Sequence, residues 1–350
     1  MSWLVSLLVL SGLIFFHELG HYMAAKLMGV YVEVFSIGFG KKLFSFHKFN
    51  TQWSISAIPL GGYVKMKGQD DSDPSKKSYD NDSYNTKTPV QKIFILLAGP
   101  AANFILAFVL YFIIALGSPN ILSPVIGKVL QDSPAFVAGL ESNDTITSIN
   151  GTEIESWKDM AKIISESSGS LSLMIRRDGY LEKKTLTPKL KNSTDVFGEI
   201  VQRKMIGISS AGVTHKLHLG FTETFSYATE QTIFASTMIF TGVKKLLFGE
   251  VPAKELGGVI SIVKITSDAT AAGWMSVLFF AALISVNLGV LNLLPIPALD
   301  GGHIMFNLYE LIFKREASEK VIINLTIGGW VILFGLMGLG LFNDITRLVG

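Results

Sequence analysis

The sequence predicts a polytopic α-helical membrane protein of about four transmembrane helices, with a membrane-associated β segment and an inserted α+β domain. Three observations carry that reading. Of 350 residues, 49% are hydrophobic and 17% charged, against about 25% charged in an ordinary soluble domain, and the mean hydropathy is +0.43. Four stretches approach the roughly 20 apolar residues that cross a bilayer. Between the second and third of them lies a mixed, charged, strand-rich segment unlike its surroundings.

The first span, 3–27, sits in a segment of residues 1–29. It has no basic n-region and leads into His-Glu-Leu-Gly-His instead of a small-residue cleavage site, so it reads as a retained helix and not a signal peptide. Residues 30–68 read as β structure. Trp53-Ser54-Ile55-Ser56-Ala57 alternates apolar and polar with period two, and Gly38, Gly40, Gly61 and Gly62 punctuate the segment. It is too apolar for a free loop and too short for a domain, so it is expected to lean on the spans. Residues 69–89 are polar, with Asp70, Asp71, Asp73, Asp80 and Asp82, and read as a solvated linker.

The second span, 93–116, lies within residues 90–117. Residues 122–190 read as one small soluble α+β domain, in which Asn150-Gly151 marks a tight turn between apolar runs. In the connecting region, 191–270, Phe221, Phe225, Ile233, Phe234, Met238 and Phe240 recur at near-helical spacing ahead of Lys244 and Lys245. That pattern predicts an amphipathic helix, either lying on the membrane surface or packed on the small domain. Residues 271–350 hold the third span, 274–294, and the fourth, 321–342.

A net charge of +2 with no Lys/Arg-rich run gives no footprint for nucleic acid, and the absence of Cys excludes disulfide and thiolate chemistry. Lys and Arg gather in short loops on the cytoplasmic side. Ten Lys fall in 26–92, and Lys314, Arg315 and Lys320 fall between spans three and four. Both termini and residues 117–270 are therefore expected outside, and the β segment inside.

The chemistry lies in His17-Glu18-Leu19-Gly20-His21, an H-E-x-x-H pattern. Residues i and i+4 share one face of a helix, so both imidazoles can hold one metal and Glu18 can reach a water beside it. Ionisable groups in a membrane span are costly and mark function. Catalytic zinc needs a third protein ligand and an open position. The best candidate is Asp300, where Pro295, Pro297, Gly301 and Gly302 interrupt the helix. Such irregular backbone at membrane depth belongs beside a cavity or inside protein. Alone, Asp300 could equally cap a helix; beside HELGH it reads as the ligand. His303 could orient it or line the cavity, whereas His47, His215 and His218 read as ordinary β or surface residues. A metal transporter would need His, Asp or Glu along its spans, and the second and fourth contain none. A scaffold with an inactive site would not need this ligand set.

These residues closely resemble the site-2 protease family of intramembrane metalloproteases, in the bacterial branch typified by the regulator of sigma-E protease. The resemblance rests on HELGH at 17–21, PLGGYVKM at 59–66, AGPAAN at 98–103 and NLLPIPALDGGH at 292–303, with a PDZ-like domain between them, and covers nearly the whole chain in the family's order. It implies Zn2+ ligands His17, His21 and Asp300, with Glu18 as catalytic base. It assigns substrate binding to Asn292 and to Gly61, Gly62, Tyr63, Val64 and Lys65. It implies regulated intramembrane proteolysis of single-span proteins, such as pre-cut anti-sigma factors or signal-peptide remnants, in the bacterial cytoplasmic (inner) membrane. The active site would lie near the cytoplasmic side and the PDZ-like domain outside. Well-studied relatives carry two tandem PDZ domains, whereas 122–190 has room for one.

Overall fold

The computed structural model describes residues 2–69, 78–195 and 197–349. The chain divides into two compact units, one of Met1–Ile114 with Phe221–Gly350 and one of Ala115–Gly220.

The larger unit opens with α1 (Ser2–Leu27), which runs directly into β1 (Val32–Lys48) and β2 (Thr51–Met66). Phe49 and Asn50, both at positive φ, form the two-residue turn that suits the twist of a hairpin. Both strands fold back on themselves. Residues 42–48 pair with 51–56, while residues 34–37 meet 52–55 on one side and 62–65 on the other. Residues 62–66 therefore form an outer edge, and no further strand adjoins them among the described residues. The segment does lean on α1. Phe35 is buried and stacks on Trp53 at 4.5 Å, and Tyr22 of α1 meets Trp53 at 5.0 Å. Val30, Val32, Met66 and Ile95 complete that core.

Asp70, Asp71 and Asp73 of the expected linker lie outside the described residues. Its second half is ordered: Tyr84 is buried, Tyr31 donates to the Asp82 carbonyl at 2.8 Å, and Lys67 bridges Asp80 and Asp82. The polar composition reflects this hydrogen bonding as much as exposure to solvent.

α2 (Pro89–Leu116) leads into the smaller unit. There β3 (Asn120–Leu122), β4 (Ile126–Val129) and α3 (Pro134–Val137) precede β5 (Thr145–Ile149), β6 (Thr152–Glu153) and α4 (Trp157–Glu166). β7 (Leu171–Arg177), β8 (Tyr180–Leu186), β9 (Lys189–Thr194), β10 (Ile200–Met205), β11 (Ile208–Ser210) and β12 (Thr214–Lys216) follow. A four-stranded sheet runs β6-β5-β7-β8, and Asn150-Gly151 turns β5 into β6 with both φ positive. The unit is wider than 122–190, because β12 pairs with β3 and β11 with β4, so its last strands close on its first. Its core holds Ile126, Ile146, Ile149, Met160, Leu173 and Ile175.

The chain returns through α5 (Phe221–Leu247), α6 (Val259–Ala272), α7 (Trp274–Asn292), α8 (Asp300–Phe313) and α9 (Glu319–Val349). α5 packs an alanine face on the apolar helices of its own unit: Ala235 is buried with Ala107 of α2 and Val286 and Val290 of α7, and Ala228 with Tyr111 and Ala282. Small residues let helix backbones approach closely, so the alanine face packs inward while Phe221, Ile233, Phe234 and Phe240 stay exposed. Among the described residues four helices are long and apolar enough to cross a membrane: Leu4–Leu27, Pro89–Leu116, Trp274–Asn292 and Glu319–Val349.

Candidate active site

His17 and His21 lie one turn apart near the end of α1, both buried, with their rings 4.8 Å apart and close to perpendicular. Asp300 reaches them from the start of α8, 283 residues further along the chain than His17. Its position depends on the broken segment after α7. Leu299 donates to the Ile296 carbonyl at 2.8 Å, and a Cβ on Gly301 or Gly302 would overlap backbone of Leu293, Leu294, Ile296 or Pro297. Glycine here allows the segment to fold tightly over the first turn of α8.

The geometry fits a metal. Nε2 of His17 and Nε2 of His21 are 3.2 Å apart, and Oδ2 of Asp300 is 3.3 Å from the first and 3.4 Å from the second. Atoms that share one tetrahedral zinc at about 2.0–2.1 Å must sit about 3.3–3.4 Å from each other. Oδ2 of Asp300 is buried and makes no hydrogen bond among the described residues. A buried carboxylate oxygen left so is costly unless a cation lies where the three atoms converge. These three residues are the one cluster among the described residues with metal-ligand geometry.

Each ring is also held on its far side. Nδ1–H of His21 donates to the carbonyl of Ile95 at 2.8 Å, and Nδ1 of His17 lies 3.1 Å from the amide of Asn103. Pro100, inside α2, has no N–H, so the hydrogen-bond ladder of that turn is interrupted next to the carbonyl that His21 uses. Metal-binding imidazoles are normally oriented by such outer partners.

Glu18 lies beside the outer strand. A Cβ on Gly62 would come within 3.2 Å of Cγ of Glu18 and 2.9 Å of the Ser36 carbonyl, so only glycine lets the strand pass this closely. Gly61, at φ 114, lies against the ring of Phe39, which stacks on Tyr63 at 6.1 Å. Lys65 pairs with Glu33 at 3.0 Å and Val64 faces Phe35 across the register. Asn292 ends α7, and its side chain makes no hydrogen bond among the described residues.

The ring of His303 makes no hydrogen bond to Asp300 among the described residues and packs edge-on to Phe306. His215 and His218 bond to Ser123 and Ser118 within the smaller unit, and His47 lies in the exposed hairpin. Sequence reasoning gave no role to Asn103, Ser285, Lys92 or Glu310. Asn103 could have been singled out as a lone amide in an otherwise apolar span; the others meet partners too distant along the chain to be read.

Residues 5–336 match peptidase family M50. Relatives named "Putative zinc metalloprotease" occur in Campylobacter jejuni, at 47% identity over 100% of this chain and 94% of that protein, and in Helicobacter pylori strain J99, at 41% over 99% and 100%. A relative of that name in Clostridium acetobutylicum is 34% identical over 97% and 96%. A PDZ domain of an SdrC-like protein from Listeria innocua aligns with 28% of this chain and 99% of its own at 24% identity and TM-score 0.20. With a family match across nearly its full length and relatives well above 30% identity, the chain belongs to peptidase family M50, the site-2 protease family.

Proposed function

We propose that this membrane zinc metalloprotease cuts single-span membrane proteins within or near the bilayer, with His17, His21 and Asp300 as the metal ligands and Glu18 as the base. The observation that carries the reading is the 3.2–3.4 Å triangle of Nε2, Nε2 and Oδ2, placed on a helix apolar enough to span a membrane. Zinc, when bound, polarises the scissile carbonyl and lowers the pKa of a water held at the open position. Glu18 takes the proton from the attacking water and returns it to the leaving amine. Asp300 would offset one of the two positive charges of a bound zinc, and the two imidazoles would bind it as neutral donors.

A helical substrate hides its carbonyls, so a few residues must unwind. Residues 62–66 offer a strand edge against Glu18 that can take up the freed N–H and C=O groups by β-augmentation, and Asn292, whose side chain makes no hydrogen bond among the described residues, has both a donor and an acceptor for a substrate peptide group.

In this reading the enzyme works in a bacterial cytoplasmic membrane, with the active site near the cytoplasmic face and the Ala115–Gly220 unit, PDZ-like in kind, on the other side as a size filter. Its substrates are the remnants that a first cleavage leaves, pre-cut anti-sigma factors or signal-peptide remnants. The Lys-rich 26–92 segment supports that orientation. Purified protein is expected to hold one zinc per chain and to cleave a model single-span substrate. Zinc-loaded enzyme that cuts soluble unfolded peptides but no membrane-embedded one would overturn the substrate class.

A further inference from the structure

We propose that Asn103 is a positioning residue for the metal: its side-chain carbonyl accepts the Nδ1 proton of His17 and so fixes the tautomer that presents Nε2 to zinc. The inference rests on the zinc reading above and concerns a residue outside the ligand set.

A neutral imidazole has a single N–H. When Nε2 gives its lone pair to a metal, that proton must sit on Nδ1, and a buried N–H needs an acceptor. His21 has one in the main-chain carbonyl of Ile95, 2.8 Å away. The polar group at Nδ1 of His17 is the Asn103 amide, at 3.1 Å.

Asn103 is fully buried, and its position is fixed from a third helix, since Oγ of Ser285 on α7 donates to its backbone carbonyl at 2.8 Å. Its amide nitrogen faces His17, while its Oδ1 is buried with no hydrogen-bond partner. A half-turn of the amide exchanges the two atoms and gives Nδ1–H of His17 the acceptor it requires. α2 thereby orients both imidazoles of α1, one through a main-chain carbonyl and one through a side chain. Only the side chain can be altered by substitution, and this makes the idea testable.

The test is zinc affinity of the full-length protein in detergent, measured by chelator competition, for the wild type and for Asn103→Leu, Asn103→Asp and Ser285→Ala. Loss of an outer partner of a metal-binding His weakens binding by about 10–100-fold, and Asn103→Leu is expected in that range. Asn103→Asp can only accept. It is expected to bind zinc within a few-fold of the wild type, because a carboxylate serves His as well as an amide carbonyl does. Ser285→Ala removes the support of the backbone and leaves the acceptor, so its affinity should stay close to wild type.

Zinc affinity in Asn103→Asp as poor as in Asn103→Leu would mean that Asn103 acts as a donor or as packing, and would overturn the proposal. So would unchanged affinity in Asn103→Leu. A wild type that binds no zinc would instead bring down the metal reading itself, a result that the variants cannot imitate.

Discussion

A single methyl group on Gly99 would overlap the imidazole of His21. α2 therefore shapes the site by absence as well as by hydrogen bonding. Gly20 on α1 faces the Ala98 backbone in the same way, so small residues on both helices set how closely α1 and α2 approach. Gly99→Ala is expected to displace His21 and cut zinc affinity by at least 10-fold, an order of magnitude typical of disturbed ligand orientation. Gly12, with open space around it, is the control: Gly12→Ala should leave metal content unchanged in the same assay.

The proposed base and ligand roles are expected to separate by substitution. Glu18→Gln keeps the shape of the side chain but cannot hold a proton, so zinc content should remain near one per chain while cleavage falls by roughly 10²–10⁴-fold, the range for loss of a general base. His17→Ala, His21→Ala and Asp300→Ala should each lower the zinc content. Metal analysis of the purified variants decides the matter, and full zinc in Asp300→Ala would remove that residue from the ligand set.

α8, which carries Asp300, is tied to α2 by a second contact. Lys92 is buried at the start of α2 and pairs with Glu310 of α8 at 3.2 Å. Removing one partner of a buried pair costs about 3–5 kcal/mol, and the lower end is expected because Glu310 retains some contact with solvent. Lys92→Met should lower the melting temperature of the whole protein and loosen zinc, and the exchange Lys92→Glu with Glu310→Lys should recover part of both. Equal loss in the single and exchanged proteins would show that the contact is packing alone.

How much of this is legible in the sequence varies with the range of the interaction. His17 and His21 are four residues apart on a helix, so their shared face follows from helix geometry. The four apolar helices follow from composition. Asp300 stands out because prolines and glycines break the chain around it, but its approach to His17 to within 3.3 Å is a tertiary fact. Asn103 meets His17 across 86 residues and Lys92 meets Glu310 across 218, and nothing local marks either pair. α5 was legible only in part. Its phenylalanines dominate the hydrophobic pattern, yet Phe221, Phe225, Phe234 and Phe240 stay exposed. Alanines make the close contacts, and alanine carries little signal in such a pattern.

The smaller unit should lose stability in acid through one carboxylate. Burial opposes the charge of Asp144, but hydrogen bonds from Arg177, at 2.7 Å from Nε and from Nη2, and from the Glu141 amide, at 2.8 Å, outweigh it and hold the carboxyl below its ordinary value. A depressed folded-state pKa means that the folded form binds fewer protons than the unfolded chain. The stabilisation is thus fully present above the ordinary Asp value of about 4 and is lost as pH falls from there through the lower folded-state value. The protection of β5 and β7 amides in the full-length protein, measured against their intrinsic exchange rates at each pH, should fall below that pH. Asp144→Asn should exchange faster at neutral pH and show a flatter dependence on acid.

The strand edge beside Glu18 leads to the most specific expectation about substrate. Unwinding several residues of a substrate helix exposes N–H and C=O groups that would each cost several kcal/mol unpaired at membrane depth. Among the described residues, 62–66 pair with β1 on one side only, so their other edge can accept those groups by main-chain bonds, without reading side chains. Gly62 is what lets this edge run against Glu18, and Val64, opposite Phe35 in the register, lies in the middle of it. Val64→Pro removes one N–H and fixes φ, which disrupts the edge without touching His17, His21 or Asp300. Zinc content should therefore stay normal and cutting of a helical single-span substrate should fall at least 10-fold. The loss should be partly recovered when Gly or Pro near the cut site has already weakened the substrate helix, because less of the unwinding then depends on the edge. Loss of zinc together with equal loss on helical and helix-broken substrates would instead report damage to the α1–β packing around Phe35 and Trp53 and would refute the strand-clamp reading.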